Sequence, residues 1–220
     1  MNKPFTSWTV GASYYIPLFI VSIAAQWWAC TIDHHWYPTP LWLLAFFTLN
    51  FFRDPPRKIT ENPEEIVSPA DGVVDAIEEL EESEYFDGPC KRVSIFLNVF
   101  NVHINRVPDD CTIESITHKN GKYRNAMDPN SAQINESNWL RLSTPHGPMT
   151  VRQISGAIAR RIVCQAPEGG KLKKGEKFGM IKFGSRTELY LSYDAEITVS
   201  LKQKVKGGET IMARFNDLEK

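Results

Sequence analysis

Apolar residues follow two different patterns along this chain, and the change of pattern divides it. Pro4 to Ile32 contains no charged residue, and Trp36 to Phe52 is again uncharged and rich in Leu, Phe and Trp. Runs that leave no polar face predict helices surrounded by hydrocarbon rather than by water. The first, which includes Tyr14 to Trp28, is long enough with its flanks to cross a bilayer core of roughly 30 Å, and the second is close to the lower limit. Asp33-His34-His35 between them is too short to be a domain, so the pair predicts a helical hairpin with both ends on one side. Lys3 precedes the hairpin and Arg53, Arg57 and Lys58 follow it, while the connecting loop carries no Lys or Arg. The positive-inside rule then puts both ends in the cytoplasm. Trp27, Trp28, Trp36, Tyr37 and Trp42 cluster where amphipathic rings favour the membrane interface. A single span with an interfacial segment, or a core hairpin of a soluble protein, are the other arrangements open to these runs. A cleaved signal peptide fits poorly, since a second apolar run follows at once.

From Arg53 onward charged and apolar residues mix. Arg53-Asp54-Pro55-Pro56-Arg57 cannot continue a helix and opens a linker, so a domain boundary is expected near residue 60. Residues 1–59 then form the anchoring hairpin and linker, and 60–220 a separate domain. Within it the apolar segments are short and separated by Gly and Pro turns: 72–77, 92–97, 111–116, 149–154, 189–191 and 196–201. That pattern predicts a mainly β fold, a barrel-like or sandwich-like catalytic domain.

Charge and cysteine usage narrow the partners. A formal net charge of −1 supplies no field for nucleic acid. The local basic groups Arg160-Arg161 and Lys171, Lys173, Lys174 and Lys177 suit anionic headgroups or an ordinary solvated loop. Cys30, Cys90, Cys111 and Cys164 show neither a CxxC nor a Cys/His metal spacing, so free thiols and no metal are expected.

Three segments hold the parts of an Asp/His/Ser system: Pro69-Ala70-Asp71-Gly72, Asn98 to Pro108 with His103 at its centre, and Gly184-Ser185. A serine hydroxyl needs a base to take its proton, an imidazole titrates near neutrality, and a carboxylate fixes the imidazole tautomer. The Gly-Ser step itself is an unhindered peptide against which a chain can turn its own hydroxyl, because Gly184 has no side chain to block its carbonyl. Taken singly each residue has an ordinary explanation. Gly-Ser is common in turns, Asp-Gly is a favoured turn with Asp75, Glu78 and Glu79 nearby, and His103 fits a core histidine. His118 and His146 lie in loop-like sequence, and His34 and His35 belong to the hairpin loop. On residues alone, an anchored Asp/His/Ser hydrolase stays open. So does a carrier domain of the biotinyl or lipoyl type, built on the turn-and-strand units 68–74 and 168–176, although no Met-Lys-Met occurs.

Read together, Phe51-Phe52-Arg53-Asp54-Pro55, Ser68-Pro69-Ala70-Asp71-Gly72, Asn101-Val102-His103-Ile104-Asn105-Arg106, Gly121-Lys122-Tyr123-Arg124-Asn125-Ala126, Asn135-Glu136, the run 156–162 and Gly175 to Arg186 follow one order over most of the chain. In that order the sequence resembles the phosphatidylserine decarboxylase proenzymes, in particular their short-form group. The resemblance implies attack of Ser185 on the Gly184 carbonyl and a cut between Gly184 and Ser185. A β chain of residues 1–184 and an α chain of residues 185–220, opening with a pyruvoyl group made from Ser185, would stay together as a heterodimer. His103, supported by Asp71, would be the base for cleavage and the natural proton donor in decarboxylation. The pyruvoyl ketone would form a Schiff base with the serine amine of a membrane phospholipid and accept electrons as carbon dioxide leaves, giving phosphatidylethanolamine. The runner-up, which the motifs leave open, is the same reaction on another phosphoserine lipid, such as an archaeal ether lipid. The expected location is the cytoplasmic membrane, with a higher homo-oligomer also allowed. Longer relatives carry Leu-Gly-Ser-Thr at the cut and a second His three residues after the first. Here Phe183 precedes Gly184, and Arg106 replaces that His, so Arg106, Arg186 and Arg160 are candidates for the phosphodiester or the substrate carboxylate.

Overall fold

A computed structural model of the protein describes residues 5–124, 131–157, 161–182 and 184–215. The motif positions Asn125, Ala126, Arg160 and Phe183 therefore lie outside the described residues. The chain separates into two compact units between Pro55 and Pro56, inside the linker whose prolines end the second helix.

The first unit is a hairpin of helices α1, Ser7–Thr31, and α2, Thr39–Phe51. At 25 residues α1 is about 37 Å long, enough for the bilayer core. Only 11% of its most apolar window is buried, and Ile16, Ile20, Val21, Ile23 and Trp27 are exposed. That exposure separates it from the core helix of a soluble protein. The second helix differs from the expected crossing. Pro40 opens it and Arg53-Asp54-Pro55-Pro56 follows its end, so α2 has 13 residues, about 20 Å, shorter than the bilayer core. Ser7 Oγ donates to the carbonyl of Phe52 at 2.7 Å at the open end of the hairpin. Near the loop, Trp42 Nε1 donates to Gln26 Oε1 at 3.3 Å, and Phe19 meets Trp42 and Phe46 edge to face.

The second unit is mainly β. In chain order its strands are β1 Glu65–Val67, β2 Gly72–Leu80, β3 Cys90–Leu97, β4 Ile104–Arg106 and β5 Cys111–Lys119, followed by the single turn α3 Ser131–Ile134. Then come β6 Ser137–Thr144, β7 Gly147–Ile154, β8 Ile162–Cys164, β9 Lys171–Leu172, β10 Lys177–Ile181, β11 Ser185–Ser192, β12 Glu196–Ile197, β13 Lys204–Val205 and β14 Ile211–Arg214. Eight strands make one antiparallel sheet in the order β13-β2-β3-β11-β7-β6-β5-β9, and two three-stranded sheets, β1-β14-β12 and β4-β10-β8, accompany it. Strand β6 had no counterpart in the sequence reading, and the expected 196–201 strand stops at Ile197. Lys202, at φ 65°, sits in a left-handed turn whose N–H donates to the Val74 carbonyl at 2.7 Å.

Strand β11 decides what this sheet can position. It lies between β3 and β7 and is buried on both faces. One face places Leu189 and Leu191 in the core with Val93, Ile95, Leu97, Val151 and Leu140. The alternating face is ionic. Glu188 pairs with Arg152 at 3.1 Å and Arg92 at 3.2 Å and accepts from Tyr190 Oη at 2.7 Å, while Arg152 stacks 3.9 Å from the Tyr85 ring. Removing one partner of such a fully buried pair costs about 3–5 kcal/mol, because the other charge stays stranded.

Candidate active site

The three segments singled out by sequence meet at one end of the large sheet. Ser185 opens β11 opposite Leu97 of β3, and Phe96 pairs with Val73 of β2. The chain around Asp71 therefore reaches the sheet two strand spacings from Ser185, roughly 10 Å between backbones. His103 comes in from the next layer. Strand β10 pairs with β4 through Met180 and Ile104, and the Ile181 N–H donates to the His103 carbonyl at 3.2 Å.

The imidazole is oriented at both nitrogens. The Gly184 N–H donates to His103 Nε2 at 3.3 Å, and Nδ1 lies 3.0 Å from the carbonyl oxygen of Asn101. A carbonyl can only accept, so Nδ1 carries the proton and Nε2 presents its lone pair, the tautomer a general base requires. Asn101 is itself fixed in a tight turn. Its Oδ1 accepts from the Asn98 N–H at 2.9 Å, and Asn98 Oδ1 accepts from the Phe100 N–H at 2.9 Å. The asparagines around this histidine thus set its tautomer through local turn chemistry.

The Gly184-Ser185 step that follows this contact is unusual in two respects. Gly184 has φ +69°, a left-handed conformation that costs other residues about 1–2 kcal/mol, and no atom among the described residues other than its chain neighbours lies within 4 Å of where a Cβ would sit. Ser185 is fully buried, and its Oγ has no hydrogen-bond partner among the described residues. Leaving a buried hydroxyl unsatisfied costs about 1–3 kcal/mol, a penalty that calls for a chemical explanation. The next inward residue on that face, Thr187, is by contrast fully supported. Asn105 Nδ2 donates to Thr187 Oγ1 at 3.0 Å, Gln153 Nε2 to Asn105 Oδ1 at 2.9 Å, and Asn138 Nδ2 to Gln153 Oε1 at 3.1 Å. This buried amide chain holds the start of β11 against β4, β7 and β6. Asn105 belonged to a recognised motif, but no sequence signal joined it to Gln153 and Asn138.

The Asp71 carboxylate has its own partners. Arg57 Nη2 donates to both oxygens, at 3.0 and 2.9 Å, and the Gly207 N–H donates to Oδ1 at 2.8 Å. Of the candidate arginines, Arg106 donates from Nη1 to the Gly175 carbonyl at 2.8 Å. Arg186 pairs with Asp75 at 2.7 Å and donates to Ser94 Oγ at 3.1 Å. Both guanidinium groups are buried among these partners. Elsewhere, His146 Nδ1 lies 2.8 Å from Asp109 with its ring stacked on Phe215, and the exposed His118 lies near Asn120 and Glu136. The cysteines are free; burial pushes the Cys111 thiol up to about 12 and raises those of Cys90 and Cys164, which keeps them protonated near neutrality. No cluster of His, Cys, Asp and Glu that could hold a metal occurs among the described residues.

A neutral imidazole thus accepts from the Gly184 N–H, just upstream of the Gly184–Ser185 bond, beside a buried serine hydroxyl without a hydrogen-bond partner among the described residues, an arrangement that suits a β-rich proenzyme. Comparison with known proteins agrees in class. The phosphatidylserine decarboxylase family model matches residues 44–213. A Carboxydothermus hydrogenoformans protein named phosphatidylserine decarboxylase proenzyme is 39% identical over 98% of this chain and 99% of its own length. Proteins of the same name from Neisseria gonorrhoeae and Magnetococcus marinus are 41% and 44% identical, over 82% and 81% of this chain and 70% and 83% of their own. The chain belongs to the phosphatidylserine decarboxylase family, a family of carboxy-lyases.

Proposed function

We propose that this chain cuts itself between Gly184 and Ser185 and then, through the group left on Ser185, converts phosphatidylserine to phosphatidylethanolamine at a membrane surface. The observation that carries the reading is a buried Ser185 hydroxyl with no hydrogen-bond partner among the described residues, directly after Gly184, whose N–H meets the His103 lone pair. His103 Nε2 takes the Ser185 proton, and Oγ adds to the Gly184 carbonyl. The C–N bond then breaks as the imidazolium returns its proton to the nitrogen, leaving an ester and a free amine on residue 185. Loss of the Ser185 α proton expels the Gly184 carboxylate and leaves a dehydroalanine, which takes up water and releases ammonia to give the pyruvoyl end. The space that the described residues leave beside Gly184 and the enclosed start of β11 fit that group, which would supply a ketone able to accept the electron pair freed as carbon dioxide departs. His103 is then the proton donor to the substrate carbon. Asp71 acts through its fixed negative charge, favouring the imidazolium that forms when His103 holds a proton.

For the phosphodiester and carboxylate of the lipid, Arg106 and Arg186 are the proposed cations. Binding would exchange their present partners, the Gly175 carbonyl and the Asp75–Ser94 pair, for substrate oxygens. The purified, cut protein is expected to release labelled carbon dioxide from phosphatidylserine carrying label in the serine carboxyl, with phosphatidylethanolamine formed in equal amount. If cut protein turned over an ether-linked phosphoserine lipid and left the diacyl lipid untouched, the substrate would be reassigned while the chemistry stood.

We also propose that the hairpin anchors the chain with the catalytic domain on the cytoplasmic face. The charges of Lys3, Arg53, Arg57 and Lys58 at its two ends and their absence from its loop support that side. Protease added to sealed right-side-out vesicles should leave the domain intact; its digestion there would reverse the orientation.

A further inference from the structure

The partner of Asp71 comes from an unexpected place. Arg57 lies in the Asp54-Pro55-Pro56-Arg57 linker that leaves the hairpin, where a cation ordinarily stays in water or on lipid phosphates. Instead its side chain is only 7% exposed and grips both oxygens of Asp71, whose own side chain is 13% exposed. Burying a guanidinium carries a desolvation cost of several kcal/mol, which a mere tether would not need to meet. Three separate stretches converge on this carboxylate: the linker through Arg57, the entry to β2 through Asp71 itself, and the turn before β14 through the Gly207 N–H. Glu209 lies 3.9 Å from Arg57 Nη1, and Lys206 lies 3.7 Å from Glu209. Gly207 is as confined as Arg57. A Cβ there would stand 3.2 Å from the Ala70 carbonyl carbon and 3.3 Å from Asp71 Oδ1, so the backbone N–H reaches the carboxylate because no side chain intervenes.

The loop bearing Asp71 is in turn fastened to the strand bearing the histidine segment. The Pro69 carbonyl accepts from the Arg106 N–H at 3.0 Å and from Asn105 Nδ2 at 3.5 Å, both on β4, which begins immediately after His103. A carboxylate held by charge-assisted bonds on two sides is a preorganised charge that need not reorient when the imidazole becomes cationic. We infer that Arg57 is a positioning residue for self-cleavage: it fixes Asp71 from the linker, and so makes maturation depend on the seating of the segment that leaves the membrane hairpin. The inference rests on the proposed role of Asp71 in cleavage and adds the linker to that site.

The test is a double-mutant cycle on the full-length chain, made by cell-free translation into vesicles, with first-order self-cleavage followed by gel. Arg57→Gln is expected to slow cleavage roughly 10- to 100-fold, the scale of a misplaced catalytic geometry. Asp71→Asn should slow it at least as much, and the double variant should cleave at the rate of Asp71→Asn alone, because Arg57 acts through that carboxylate. Arg57→Lys, which retains the charge with one donor point, should recover part of the loss. The same substitutions placed on Ser185→Ala give uncut chains whose thermal unfolding separates folding from positioning. Wild-type cleavage by Arg57→Gln would overturn the inference. So would a double variant slower than Asp71→Asn by the full Arg57→Gln factor, the additivity of a purely structural effect. Asp71→Asn cleaving at the wild-type rate would instead overturn the role of Asp71 on which the inference rests.

Discussion

Purified wild-type protein should give two masses divided after Gly184, and the Ser185→Ala variant should give one. The smaller wild-type chain should begin with a ketone in place of serine, and the variant should be folded yet without decarboxylase activity. Alanine removes an oxygen that is buried and has no partner among the described residues, so the substitution deletes the nucleophile with little other change in packing. Loss of cleavage with an unchanged melting temperature would thus report chemistry rather than misfolding. The cut chains should also co-elute in native buffer and separate only in denaturant. The α chain would begin as β11, whose eight residues pair with β3 and whose Glu188 lies buried between Arg152 and Arg92 of the β chain. Downstream its β14 pairs with β1, so the nick frees ends without freeing a strand. A single uncut mass from well-folded wild-type protein would remove both the self-cleavage and the prosthetic group from the proposal.

Replacing His103 should produce the second large effect. His103→Gln offers an amide oxygen where Nε2 now accepts from the Gly184 N–H, preserving a contact while removing the ability to take a proton. Self-cleavage is expected to slow by about 10²–10⁴-fold, the usual share of a general base. Any fraction that does mature should decarboxylate more slowly, because the same imidazole is the proposed donor to the substrate carbon. In the wild type, cleavage should slow under acid conditions: protonating Nε2 fills the lone pair that must receive the serine proton, so activity belongs to the neutral form and falls as the imidazole charges. Gel-monitored cleavage across pH for both proteins would check this. A His103→Gln chain cleaving at the wild-type rate would show that another group takes the proton.

How far the residues led depended on whether the forces involved were local. The uncharged runs, the Pro-Pro stop and six of the fourteen described strands of the second unit were legible because solvent preference and turn chemistry act within a few neighbours. The second apolar run was legible as a helix but not in its length, which the flanking prolines cut to 13 residues. Strand β6 escaped notice because Ser137 to Thr144 mixes polar, charged and apolar residues. Its face becomes evident only once it lies between β5 and β7. The Ser185, Gly184 and His103 segments stood out by ordered resemblance. Their meeting follows from β10 pairing with β4 and β11 with β3, contacts spanning most of the second unit.

Neighbouring residues alone thus specify two uncharged apolar runs ahead of a β-rich segment that carries a Gly-Ser bond in the pattern of one decarboxylase family. Folding alone brings the His103 lone pair to the Gly184 N–H, leaves Ser185 Oγ without a hydrogen-bond partner among the described residues, and lets Arg57 of the linker hold Asp71. The division is physical. Hydropathy, helix stops and turn preferences are properties of neighbouring residues, whereas tautomer, burial and ion pairing are set by groups that folding brings together from distant parts of the chain.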